Sequence, residues 1–137
     1  MLTFYEQADS KNHNVKRLKM DLVMSTGRCY QRLGLLDRAT ILLEEALKGY
    51  VEEGLTRMVL RTLHVIADML MTDLCNFNDA HEIFTRALEG KERVLPSDHP
   101  STIDTVHSLG CLLMQKKMWK EAQSLLTRAK IVRVQVR

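Results

Sequence analysis

Residues 65–88 read VIADMLMTDLCNFNDAHEIFTRAL, and the order of small and large residues within that stretch decides the fold. The same order occurs upstream in STGRCYQRLGLLDRATILLEEAL (25–47) and downstream in SLGCLLMQKKMWKEAQSLLTRAK (108–130). Ala39, Ala80 and Ala122 are spaced 41 and 42 residues apart, and Ala46, Ala87 and Ala129 keep those spacings. Gly27, Ala67 and Gly110 mark a third slot, spaced 40 and 43 apart because the middle segment has an extra residue before Ala80. Large residues fall between the small ones: Tyr30, Leu70 and Leu113, then Leu43, Phe84 and Leu126. A fixed period near forty-two signals a repeat array, each unit being one supersecondary element that needs its neighbours to bury a face. A Gly or Ala on a helix face lets a second backbone approach, and bulky residues three or four positions away fill the space beside it. Each unit is therefore expected to be a pair of amphipathic helices.

The punctuation agrees. Arg32-Leu33-Gly34 ends a helix with a glycine suited to the left-handed C-terminal conformation, and Cys75-Asn76-Phe77-Asn78 is the corresponding turn one unit later. Asp37 and Asp79 fall in the first turn of the following helices, where negative charge complements the helix dipole. Pro96 is expected to stop the second helix of the middle unit, Ser97 or Asp98 to cap the next, and Pro100 to sit in its first turn. Only two prolines and six glycines occur in 137 residues, so long helices go unbroken elsewhere.

The slots Gly27, Tyr30, Ala39, Leu43, Ala46, with their counterparts Ala67, Leu70, Ala80, Phe84, Ala87 and Gly110, Leu113, Ala122, Leu126, Ala129, resemble the tetratricopeptide repeat. The period near forty-two, and L-P-S-D-H-P ahead of the third unit, are similar to the long repeat of kinesin light chains. The resemblance implies an all-α fold, a superhelix of three antiparallel helix pairs over about 15–55, 56–97 and 98–137. Residues 1–14 are then an N-terminal cap or partial helix, with Leu2, Phe4 and Tyr5 as its apolar residues. Two departures stand out. The Trp that often opens the first helix is replaced by Val23, Leu63 and Val106, and the Pro that often closes the second is missing from its usual place, as longer second helices would require.

The function implied by the resemblance is a non-enzymatic protein-interaction module, a scaffold or adaptor that binds a peptide along the concave groove lined by first helices. Register from the small slot places on that groove Asp21, Met24, Arg28 and Gln31; Arg61, His64, Asp68 and Met71; and Asp104, His107, Cys111 and Met114. Methionine side chains adapt to varied apolar partners. Family members that grip a C-terminal carboxylate use Lys and Asn at these places. Met24 and Arg28 stand there instead, so that clamp is not expected. The last helix, KEAQSLLTRAKIVRVQVR, carries Leu125, Ile131, Val132, Val134 and Val136 with no polar capping helix after it, which suggests self-association or further repeats.

Composition narrows the alternatives. No run of about eighteen apolar residues occurs, and the start lacks a secretory signal, so an intracellular, cytoplasmic protein with no membrane partner is expected. Cys29, Cys75 and Cys111 are odd in number and show no paired spacing, as expected of reduced thiols. The net charge of +3 is uneven. Residues 11–38 hold seven Lys/Arg against two Asp/Glu, residues 44–104 six against twelve, and residues 116–137 seven against one. Basic ends make a nucleic-acid-associated helical protein the alternative reading. At 5% aromatic residues, base stacking has little support, and Trp119 is expected to pack at a helix turn.

Residues 95–110, LPSDHPSTIDTVHSLG, contain the side chains of a hydrolytic triad, but no strained nucleophile turn such as G-x-S-x-G accompanies them. No catalysis and no cofactor are expected. His64 with Asp68, and His107 with Cys111, share the i, i+4 spacing of zinc ligands on a helix. Equivalent slots carrying similar polar groove residues account for the pattern without a metal, and none is expected.

Overall fold

Six helices and no strand make up the described residues of the computed structural model, which covers the backbone of residues 4–135 and the side chains of residues 14–132. They are α1 (Phe4–Arg32), α2 (Leu36–Glu52), α3 (Thr56–Thr72), α4 (Phe77–Val94), α5 (Pro100–Gln115) and α6 (Trp119–Gln135). The all-α arrangement expected from the repeat is therefore present. The chain divides into two compact units with their boundary inside α3, one ending at Thr62 and the other beginning at Leu63.

In the first unit α1 packs on α2, and the small slot is where they meet. A Cβ built on Gly27 would lie 3.2 Å from Leu43 Cγ and 3.3 Å from Leu42 Cβ, so the glycine seats α2 directly on the α1 backbone. Ala39, Leu43, Ala46 and Tyr50 form the buried stripe of α2, at the i, i+4, i+7, i+11 spacing of one helical face. The second unit repeats the device. A Cβ on Gly110 of α5 would come within 2.8 Å of Leu126 Cγ and Cδ2 on α6. Its core gathers Ala67, Ala80, Phe84, Leu88, Val106, Leu112, Leu113, Ala122 and Ala129. The alanines of the repeat are thus close-contact positions, buried to 1% exposure or less. Phe84 fills the space beside them, and truncating such a buried ring to Ala costs about 3–5 kcal/mol.

The turn joining the two helices of each segment is a left-handed C-terminal motif. Gly34 has φ +80°, and its N–H donates to the Gln31 carbonyl while Leu35 N–H donates to that of Tyr30. This is the Schellman pattern, which satisfies the last carbonyls of α1. Lys117 (φ +61°) repeats it with Lys117 N–H to Met114 and Met118 N–H to Leu113. Cys75 (φ +52°) occupies the same slot, its turn lengthened so that Asn76 N–H reaches the Leu70 carbonyl. Gly54 (φ +69°) closes α2 in the same way. At the N-termini, Asn76 Oδ1 accepts from Asp79 N–H, as a cap should. The cap of α5 differs from expectation. His99, not Ser97 or Asp98, holds the N-cap position and accepts from Ser101 N–H through Nδ1 at 3.1 Å, with Pro100 as the first helical residue.

Other differences concern the ends. The apolar residues of α6 are covered only in part: Leu125 and Val132 pack against the second core while Ile131 is 51% exposed. Val134 and Val136, like Leu2, Phe4 and Tyr5 in the head, have side chains outside the described residues. Trp119 is 56% exposed at the start of α6, so it does not pack as expected.

Candidate functional site

The first unit holds an open cleft of about 270 Å³. From α1, Arg17, Asp21, Met24, Ser25 and Arg28 face it, spaced at three or four residues and hence on one side of the helix. Tyr50 enters from α2, and Met58 and Arg61 come from the start of α3. The structure therefore brings Asp21, Met24, Arg28 and Arg61, four of the residues expected on the first helices, around one pocket. Arg17, Ser25, Tyr50 and Met58 were not anticipated. Arg17 and Ser25 were legible in principle, one turn before Asp21 and one before Arg28.

Met24 is not the free apolar contact its register suggested. It is 4% exposed and forms the floor, its sulfur 3.6 Å from Thr62 Oγ1 and 4.0 Å from the Tyr50 hydroxyl. That hydroxyl donates to Asp21 Oδ1 at 2.5 Å. Burial, then the hydrogen bond to Asp21, push the Tyr50 phenol above its ordinary range, so it stays a donor at neutral pH. The Asp21 carboxylate is thereby engaged by Tyr50. Arg17 and Arg61 are close enough to act electrostatically on the Tyr50 hydroxyl. Gln31, one turn beyond Arg28, is half-buried and does not line the cleft.

In the second unit the expected residues take more varied positions. His64 is held inside a polar network. Its Nδ1 lies 2.9 Å from Thr105 Oγ1, and its ring meets Phe84 edge-on with centroids 5.4 Å apart. Lys91, only 4% exposed, donates from Nζ to the same Thr105 hydroxyl at 2.7 Å and to the Ser101 carbonyl at 3.2 Å. Burial, then the neighbouring Lys91 charge, push the His64 imidazole down to about 4, with Asp104 opposing. His64 is consequently neutral near pH 7, and the Thr105 hydroxyl, within reach of the Ser101 carbonyl at 3.3 Å, lies between it, Lys91 and the imidazole. Burial also pulls the Lys91 ammonium below the usual lysine range. Neither Thr105 nor Lys91 was expected to matter. The shared T-x-H of Thr62-Leu63-His64 and Thr105-Val106-His107 was the signal available, since both threonines are fully buried.

Asp68 is half-buried, its carboxyl raised by burial and then by Asp73. Met71 packs against the core. Asp104 and Met114 are exposed, whereas His107 and Cys111 are half-buried with Cys111 Sγ 3.9–4.0 Å from the His107 ring nitrogens. No three His, Cys, Asp or Glu side chains converge as metal ligands among the described residues. The basic C-terminal region is partly engaged internally: Lys116 Nζ lies 3.0 Å from His81 Nδ1, and Arg128 pairs with Glu92 at 3.0 Å. No helix is long and apolar enough to cross a membrane among the described residues.

The arrangement of helix pairs sharing small contact residues defines a class, that of tetratricopeptide-type repeats. Comparison with known proteins agrees with that class. Residues 59–101 match the family described as tetratricopeptide repeat. The crystal structure of nearly identical TPR-like repeats from a Podosopora anserina protein of kinesin light chain type superposes with a TM-score of 0.72 at 21% identity, over 86% of this chain and 56% of that one. A variant of those repeats gives the same score and identity over 85% and 56%. The chain thus spans little more than half the length of the structures it matches. No curated protein is matched. Residues 59–101 thus match a tetratricopeptide repeat, and the fold is that of TPR-like repeats, as the resemblance implied.

Proposed function

We propose that the chain is a protein-interaction module, a scaffold or adaptor that takes a partner segment on the faces of its first helices. One observation carries this reading: Arg17, Arg28 and Arg61 line a cleft floored by methionine. A guanidinium is weakly hydrated and presents a planar fork of donors, so a set of them around an apolar floor suits the acidic and apolar groups of a peptide. The tetratricopeptide repeat and the TPR-like neighbours support the scaffold role. In the second unit, Asp68, Asp104, His107, Cys111 and Met114 of the predicted face are exposed or half-buried, and we assign them secondary contacts. The buried network around His64 serves packing in this reading.

Selection of binding peptides from a random display library, followed by affinity measurements on variants, tests the proposal. Arg28→Ala and Arg61→Ala should each weaken the selected peptides at least tenfold, whereas Ile41→Ala, on an exposed position of α2, should leave them unchanged. The opposite pattern, with loss at Ile41 and none at the arginines, would place the binding face elsewhere.

A further inference from the structure

Two features of the first-unit cleft narrow the chemistry of its ligand. The first is charge. Three arginines line it against one carboxylate residue, and Asp21 already accepts a hydrogen bond from the Tyr50 hydroxyl at 2.5 Å. The uncompensated charge is therefore about two positive charges gathered in one place, twice what a carboxylate carries but matched by a phosphate monoester, about −1.5 to −2 at neutral pH. The second is donor geometry. Arg17 and Arg28 approach from α1 and Arg61 from α3, so their forks reach the cleft from two helices. A carboxylate offers two oxygens, while a phosphate monoester offers three terminal oxygens able to accept from three forks and from the Ser25 hydroxyl.

The volume and floor extend the match. A cleft of about 270 Å³ is larger than a bare phosphate group fills and has room for the side chain that carries one. The thioethers of Met24 and Met58 line it beside the arginines, an apolar surface for the methylene or methyl groups of that side chain. Nucleic acid fits less well. A polynucleotide needs a track of cations and exposed rings for its bases, and the one aromatic residue lining the cleft, Tyr50, is fully buried.

We propose that the cleft formed by Arg17, Arg28 and Arg61 receives a phosphorylated serine or threonine side chain of the partner segment. The inference rests on the interaction-module reading above and adds that binding is conditional on phosphorylation of the partner.

The probes are three pentapeptides, blocked at both ends, with phosphoserine, serine or glutamate between pairs of alanines. Each is titrated into ¹⁵N-labelled protein while the arginine Nε–H resonances are followed. The phosphoserine peptide should shift the signals of all three arginines saturably, and the serine and glutamate peptides should bind at least tenfold more weakly. Arg28→Gln and Arg61→Gln should each raise the dissociation constant tenfold or more. Arg61→Lys, which keeps the charge and loses the fork, should raise it several-fold. Ser25→Asp puts a carboxylate into the cleft from an exposed helical position and should abolish binding with the fold intact by circular dichroism, which keeps the test decisive if a glutamine variant fails to fold. Equal binding of the glutamate peptide overturns the proposal in favour of a carboxylate site, as does tighter binding of a single-stranded oligonucleotide to the same arginines in favour of nucleic acid. No saturable shift with any probe overturns it outright. Display-selected peptides that bind without phosphate, and lose affinity when Arg28 or Arg61 is changed, would leave the interaction module standing while removing the phosphate.

Discussion

Gly27 and Gly110 hold equivalent slots of the repeat, yet the structure predicts opposite outcomes for the same substitution. Replacing glycine by alanine inside a helix contributes about 0.8–1 kcal/mol through backbone entropy alone. At Gly27 the new methyl group would meet Leu43 Cγ at 3.2 Å and Leu42 Cβ at 3.3 Å, a crowding of a few tenths of an ångström. Small shifts of α2 can absorb that, so Gly27→Ala should be neutral or stabilising by about 0.5 kcal/mol. At Gly110 the methyl would lie 2.8 Å from both Cγ and Cδ2 of Leu126. Because Cγ is near the root of that side chain, the whole leucine must leave its rotamer or α6 must move. Overpacking of this kind costs about 1–3 kcal/mol, so after the entropic gain the net loss should reach up to about 2 kcal/mol. Urea unfolding followed by far-UV circular dichroism measures both variants, with hydrogen exchange locating the loss to α5 and α6. Leu126→Ala supplies the closing test. In that background the obstruction is gone, and Gly110→Ala should become stabilising by about 1 kcal/mol. If Gly110→Ala were no less stable than the parent, or its effect unchanged by Leu126→Ala, the idea that the slot is a backbone contact surface would be refuted.

Three further outcomes follow from the same packing. Cys75 and Lys117 adopt the left-handed conformation that Gly34 holds without strain, so Cys75→Gly and Lys117→Gly should each stabilise by about 1 kcal/mol, and Gly34→Ala should destabilise by a similar amount, read from urea midpoints. His64 resists protonation until about pH 4 in the folded chain, while the unfolded chain takes up that proton near its ordinary 6.5. The stability due to His64 is therefore fully present above about pH 6.5 and lost as pH falls toward 4, by at most about 3 kcal/mol; thermal melts of the parent against His64→Gln should show that slope only in the parent. Lys91→Met removes the cation that shares Thr105 with His64, so the imidazole should titrate at higher pH in this variant, measured by histidine ring NMR; an unchanged titration would show that burial alone depresses it.

Much of the fold was legible because it rests on residues whose size is their function. An alanine that touches a neighbouring helix cannot grow, and its spacing records the period directly; this holds for Ala39, Ala80 and Ala122 and for their partners seven residues on. The turns were half legible. Gly34 reads as a left-handed residue since glycine is at ease there, but Cys75 and Lys117 do the same work against their intrinsic preference, and only the surrounding hydrogen bonds hold them in place. The α5 cap was misread for a related reason: Ser97 and Asp98 are the usual capping residues, and a histidine nitrogen accepting from Ser101 N–H fills the position instead.

The candidate site shows where sequence register stops being informative. Register assigns a side chain to a helix face, but it does not say whether a second helix closes over that face. Met24 and His64 were placed on the same kind of surface as Arg28 and Arg61, yet one lies under a cleft and the other inside a network anchored by Lys91. A lysine within RALEGKERV reads as solvated, and its burial follows from Thr105 and Ser101 of α5 lying where its ammonium can reach them. Charge behaves in the reverse way. The excess of basic residues in the N-terminal segment was plain in the sequence, but the grouping of Arg17 and Arg28 with Arg61, thirty-three residues beyond Arg28, exists only after α3 has packed. A three-arginine cleft is therefore a product of helix packing in the first unit. Its ligand should be sensitive to substitutions such as Gly27→Leu that move α2 and displace Tyr50, even though Gly27 does not line the cleft.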